Sequence, residues 1–153
     1  MVERVPEEGP GAVLLDANVF VAAMKNPSRE TLTYRLLVYL LEREDIRLVG
    51  NILLVKEYLR YAEVFPSPTA AALAVALVQT MEVVPVEDRF ILACFPYFSA
   101  EKGTDCIHAA TCLQTGAVLV SNDKDFEAVA KAGLVRRWTV ADAIRRWLPS
   151  SRR

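Results

Sequence analysis

Three short apolar runs limit the folds open to these 153 residues more than any other feature: AVLLD at 12–16, IRLVG at 46–50 and AVLVS at 117–121. The first is a continuous apolar stretch closed by an acid. Such runs read as strands buried on both faces, the kind found in parallel sheets. Helical patterns lie between them. RETLTYRLLVYLLERE (29–44) has apolar residues at 32, 36, 37, 40 and 41, with Ser28 placed to cap it and Pro27 ahead. Asn51 can cap a helix over 52–65, which Pro66-Ser67-Pro68 ends. A small-residue helix covers 69–80 and a short strand or extended piece 81–86. A helix broken near Pro96 follows, and then a helix over 103–116 that Thr104 could cap and Gly116 could end. A short helix (124–133), a last strand (134–140) and a final helix (141–149) complete the pattern. Strands alternating with helices predict an α/β fold, a three-layer α/β/α sandwich around a mostly parallel central sheet. In such sheets ligands bind beyond the carboxyl ends of the strands, so the residues after strand ends matter most.

The length suits a single domain over residues 1–153, with residues 1–10 and 149–153 as frayed ends. Eighteen basic and 19 acidic residues nearly cancel, so any nucleic-acid-binding surface must be local. The three cysteines, Cys94, Cys106 and Cys112, form no Cys-x-x-Cys pair and suit neither a disulfide framework nor a zinc site. A reducing cytoplasm fits them. The N-terminal MVERVPEEGPG is too polar for a signal peptide. The longest apolar run, 69–78, is about half of the roughly 20 residues a membrane span needs. The hydrophobic share of 53% implies apolar surface kept for a partner or for a homodimer.

Four acids stand where the sheet edge should be. Asp16 ends the first strand and Asp123 follows AVLVS, so in a parallel sheet the two converge. Glu57 sits on the apolar stripe of its helix beside Leu53, Leu54 and Tyr61. An unpaired carboxylate there costs several kcal/mol unless it reaches water, a cation or a partner. Asp105 lies in the first turn of its helix, where the helix dipole favours an acid by about 0.3–1 kcal/mol. Taken singly, Asp105 is an ordinary helix-start residue, Asp123 and Asp125 a turn and a cap, and Glu57 an acid reaching past the stripe. Taken together they repel by roughly 4 kcal/mol per pair at about 4 Å and an effective dielectric near 20. A divalent cation relieves that repulsion, and hard oxygen ligands select Mg²⁺ or Mn²⁺.

VLLDANVFVAAM, LLVKEYLRY, GTDCIHAATCLQTGAVLVSNDKDF and GLVRRWTVADAIRRWL resemble the PIN domain, especially the VapC-type toxin nucleases. The family's strand-end Asp-x-Asn/Ser/Thr falls on Asp16-Ala17-Asn18, its helical Glu on Glu57 and its Asp-x-x-x-Ala-Ala on Asp105 with Ala109 and Ala110. Its Thr-x-Asp-x-Asp-Phe falls on Ser121 to Phe126, with Ser in place of Thr. The resemblance implies metal-dependent endonucleolytic cleavage of RNA, held in check by an antitoxin and carried by a homodimer. It implies that Asp16, Glu57, Asp105 and Asp123 hold Mg²⁺ or Mn²⁺. Asn18 would orient a carboxylate or water, Asp125 would support the ligands, and Ser121 would bond to one of the acids.

Arg35, Lys56, Arg60, Lys102 and Lys124 are candidates for steering RNA. The arginine pairs at 136–137, 145–146 and 152–153 read as solvated surface, and Trp138 and Trp147 as core or interface residues. His108 and Cys112, four apart on one helix, form a weak candidate for a nucleophilic pair, with no third group evident. Phospho-receiver and phosphatase domains also place acids at strand ends, but residue 18 here is Asn and no middle strand ends in Asp. An RNA-processing nuclease outside a toxin pair, or a PIN-fold binding module without turnover, remains open at this point.

Overall fold

The computed structural model describes residues 11–25 and 31–148. The expected frayed ends, the Ser28 cap and the Arg152–Arg153 pair lie outside the described residues. Five parallel strands form the sheet: β1 (Ala12–Leu15), β2 (Arg47–Gly50), β3 (Glu82–Val83), β4 (Val118–Val120) and β5 (Arg137–Trp138), in the spatial order β3-β2-β1-β4-β5. The helices are α1 (Ala17–Met24), α2 (Leu32–Glu42), α3 (Ile52–Val64), α4 (Pro68–Thr80), α5 (Asp88–Cys94), α6 (Gly103–Thr115), α7 (Glu127–Lys131) and α8 (Val140–Trp147). They flank the sheet in the expected α/β/α arrangement. The helix α6 lies over β1, β2 and β4 with α5 packed on it, while α1 meets α2 and α3, α3 meets α4, and α2 meets α8.

All four residues of β1 are buried, as a strand covered on both faces requires. Its Val13, Leu14 and Leu15 are each 3% exposed or less and contribute about 1.5–3 kcal/mol apiece through burial. The chain builds outward from β1 to β2 and β3, then crosses back to place β4 on the other side of β1. That reversal of strand order opens a crevice between the carboxyl ends of β1 and β4. The pairing Leu15↔Val120 fixes the register, and the Asp16 N–H donates to the Val120 carbonyl (3.1 Å). Asp16 and Ser121 therefore leave the sheet side by side.

Helix ends follow local chemistry. The Asn51 side chain accepts from the Leu54 N–H, and Ser67 caps α4 with Pro68 in its first turn. Gly116 ends α6 in the left-handed region at φ 78°, which a residue without Cβ adopts at no steric cost. Three expectations need correction. The helix expected from 29 begins at Leu32 and is capped by Thr31, whose hydroxyl accepts from the Tyr34 N–H. Thr104 does not cap α6, because the helix already starts at Gly103 and its preceding residue, Lys102, gives no side-chain cap bond. The last strand is only Arg137–Trp138, because Thr139 and Asp142 form a reciprocal capping box that starts α8 at once. The short strand or extended piece expected over 81–86 is present, with Glu82 and Val83 pairing as strand. One helix, α1, had no counterpart in the sequence pattern. It starts directly after Asp16 and buries Ala17, Val19, Phe20, Ala23 and Met24. No helix among the described residues is long and apolar enough to cross a membrane.

Candidate active site

Asp16 is delivered by the end of β1 and is 5% exposed. The Ser121 hydroxyl donates to its Oδ2 at 2.6 Å. Burial raises the Asp16 carboxyl above its usual range, against the pull of the Ser121 bond, and the nearby Glu57 charge adds to the rise. The expected partner Asn18 is exposed, and its influence on Asp16 comes from its backbone N–H. From α3 comes Tyr58, fully buried, whose hydroxyl donates to the Leu15 carbonyl at 2.7 Å and braces β1 one residue before Asp16. Burial, then the charges of Asp16 and Glu57, push its phenol well above the ordinary value.

Glu57 precedes Tyr58 on α3 and keeps part of its side chain exposed. Its Oε1 lies 3.2 Å from His108 Nε2 on α6. His108 is fully buried, and the Asn51 amide nitrogen lies 3.1 Å from its Nδ1. Both ring nitrogens are thus engaged. Cys112 is buried and burial raises its thiol, so the His108–Cys112 pair has no exposed nucleophile.

The other acids sit at the mouth of the crevice. One carboxylate oxygen each from Asp105, Asp123 and Asp125 lies within 4.8 Å of the other two. The backbone explains the last two: the Asp123 N–H donates to Ser121 Oγ (3.0 Å) and the Asp125 N–H to Asp123 Oδ1 (2.9 Å). Burial, then the Asp123 and Asp16 charges, push the Asp105 carboxyl up to about 6. Lys102 Nζ pairs with Asp125 Oδ2 at 2.9 Å, and its own pKa is raised by that bond first and by the other acids after it. The structure thus groups Asp105 and Asp123 with Asp125, sets Asp16 near Asp105 as an electrostatic neighbour, and sets Glu57 near Asp16. Among the described residues the converging donors are carboxylate oxygens, and burial with neighbouring acid charge raises Asp16 and Asp105. Such a donor set fits a hard divalent ion.

The cationic candidates are dispersed. Arg35 borders a groove between α2 and the end of α8, lined also by Tyr34, Val38, Tyr39, Glu42 and Leu148. Arg60 stacks on the Tyr61 ring, and Lys56 and Lys124 are exposed. Arg137, expected as solvated surface, instead donates to the Ser121 carbonyl (3.1 Å) and ties β5 to the end of β4. Trp138 and Trp147 are buried against each other, with ring centroids 5.0 Å apart. Sequence reasoning missed Tyr58 and Thr111 as parts of this region; neither has a local signal, because their partners lie 43 and 60 residues away.

A solved structure titled "Structure of FitAB bound to IR36 DNA fragment" superposes with a TM-score of 0.53 at 18% identity, covering 84% of this chain and 94% of that one. At that identity the likeness is one of fold. No curated protein matches the sequence. A family model described as "PIN domain" matches residues 13–132, a span that contains all four acids of the expected quartet as well as Ser121 and Asp125. On that match, and with the fold and the acidic crevice in agreement, this chain belongs to the PIN domain family.

Proposed function

We propose that the chain is a metal-dependent endoribonuclease that hydrolyses RNA phosphodiester bonds, with Asp16, Glu57, Asp105 and Asp123 holding Mg²⁺ or Mn²⁺. The observation that carries the reading is the meeting of acids from β1, α6 and the segment after β4 at the strand-order reversal, with Asp105 pushed up to about 6. PIN domains are as a group metal-dependent nucleases, and the acidic cluster here suits that chemistry.

When bound, the ion supplies Lewis-acid charge that activates a water and offsets charge developing on the phosphate. The chain's own residues do the rest. Ser121 holds Asp16 in one rotamer through its 2.6 Å bond, and Tyr58 fixes the backbone just before it. Asp123 presents one carboxylate oxygen while the Asp125 N–H steadies the same group. Lys102 places a cation beside the acids, where an RNA phosphate would arrive. All three thiols are buried, which favours direct attack by water over a covalent enzyme intermediate.

The toxin role, with an antitoxin as partner, is proposed from the resemblance to VapC-type nucleases. The DNA-bound assembly named in the FitAB title supports a DNA-binding partner as that antitoxin's character. A homodimer is proposed from exposed apolar residues that cluster beside one groove, Ile52 (57%) and Val83 (48%) among them. RNA cleavage in Mg²⁺ with and without EDTA tests the chemistry. Cleavage abolished by EDTA and restored by excess Mg²⁺ or Mn²⁺ is the expected result. Cleavage indifferent to EDTA, or RNA binding with no turnover under any divalent ion, would sink it.

A further inference from the structure

Behind Glu57 lies a closed set of hydrogen bonds that the proposed chemistry does not itself require. Asn51 is 2% exposed, and His108 and Thr111 are fully buried. The Asn51 amide oxygen is committed, because it accepts from the Leu54 N–H as the cap of α3 (2.9 Å). Its amide nitrogen must therefore be the group that faces His108 and Thr111, at 3.1 and 2.9 Å. Thr111 in turn donates its hydroxyl hydrogen to the Ile107 carbonyl (2.8 Å), so it accepts from Asn51. Both amide hydrogens are then used, one on Thr111 Oγ1 and one on His108 Nδ1. With Nδ1 as acceptor, the ring hydrogen sits on Nε2, where it points at Glu57 Oε1 (3.2 Å). One cap geometry at the start of α3 thus sets which nitrogen of a histidine on α6 donates to a carboxylate one and a half turns further along α3.

We propose that Asn51 and His108 are positioning residues: together they form a relay that holds Glu57 through its Oε1 and so fixes the side chain before an ion binds. The proposal rests on the reading of Glu57 as a metal ligand. Glutamate has three side-chain torsions to fix, and a histidine donor locked from behind removes most of that freedom before an ion arrives. His108 is the sole histidine in the chain, which makes its ring directly readable.

The test is Mn²⁺ binding to the full chain, measured by the EPR signal of free ion, with melting temperature in EDTA recorded for every variant. His108→Met fills the space without a donor and should lower Mn²⁺ affinity about 10- to 100-fold, the range found when partners behind a ligand are removed. His108→Gln carries an amide N–H near the Nε2 position and should recover most of that loss. Asn51→Ser keeps a capping oxygen for α3 but removes the amide donors, and should weaken binding several-fold. The ¹⁵N spectrum of the wild-type ring should show hydrogen on Nε2 and a bare Nδ1. A wild-type ring with its hydrogen on Nδ1 overturns the relay. So does full Mn²⁺ affinity in His108→Met when Glu57→Gln has lost it, or a His108→Gln variant that regains melting temperature but not affinity. If Glu57→Gln binds Mn²⁺ as the wild type does, Glu57 is no ligand, and the relay falls with the reading beneath it.

Discussion

On the inner side of the acidic crevice, Asp16 is buried and takes a hydroxyl bond from Ser121, while Glu57 is backed by the fully buried His108. On the outer side, Asp105, Asp123 and Asp125 are half exposed, and the cation among them is a lysine whose side chain is 45% exposed. The inner acids are held by donors that cannot leave without unpacking the core. Of the outer acids, Asp123 and Asp125 are held by a backbone turn and by an ion pair that water and salt can screen. One half of the site is therefore set by folding, and the other is free to adjust to an ion or a phosphate.

Replacing Asp16 with Asn strikes the inner half hardest. Cleavage should fall on the order of 100-fold or more, because a charged oxygen ligand is lost. The melting temperature in EDTA should stay level or rise, since burial already disfavours the charged carboxylate and an amide oxygen can still accept from Ser121. Parallel cleavage assays and thermal melts check both halves of this statement. A large loss of stability would mean that Asp16 is structural first.

Ser121→Ala removes the donor to Asp16 and the acceptor for the Asp123 N–H at once. It should cost about 1–3 kcal/mol in urea unfolding and lower cleavage roughly tenfold, since it loosens an acid from each half. A cost below a few tenths of a kcal/mol would show that the two halves are not joined through this hydroxyl.

The outer half should answer to pH in the metal-free protein. The Asp105 carboxyl is raised to about 6 in the fold, above its ordinary value of 3.8. Its contribution to stability is thus fully present below about pH 4 and is lost as pH rises through 6. Melting temperature in EDTA should decline between pH 4.5 and 7 for this reason, with Asp16 acting in the same direction. Asp105→Asn should flatten the slope. Divalent binding should run the other way, weakening below pH 6 as protons compete for the same oxygens. An unchanged slope in Asp105→Asn would assign the effect to another group.

Smaller effects should follow on the rim and in the core. Lys102→Met breaks an exposed ion pair and should barely change stability, with any difference vanishing at high salt. Cys112→Ser should leave cleavage within about twofold of wild type while lowering the melting temperature, because it puts a hydroxyl in an apolar site. A Cys112→Ser protein that folds but does not cleave would reopen the nucleophile question.

The sequence alone determined the features that neighbouring residues encode. AVLLD and AVLVS read as buried strands because continuous apolar runs tolerate no wet face, and β1 and β4 lie within them. Asn51 as a cap and Gly116 as a stop follow from short-range backbone chemistry. The acids at 16 and 123 were legible because parallel strands bring their carboxyl ends to one edge. Even locally the reading failed where two signals competed. The Thr139–Asp142 capping box cut β5 to two residues, and α1 followed β1 with no Gly or Pro to mark the change. Only the tertiary structure decided the contacts that span the chain. Ser121 reaches Asp16 across 105 residues, His108 reaches Glu57 across 51 and Asn51 reaches His108 across 57. Those meetings depend on the crossover that sets β4 against β1, on a register fixed to a single residue, and on the rotation of α3 against α6. None of these is a property of any short stretch, because a shift of one residue in a strand turns every side chain to the opposite face.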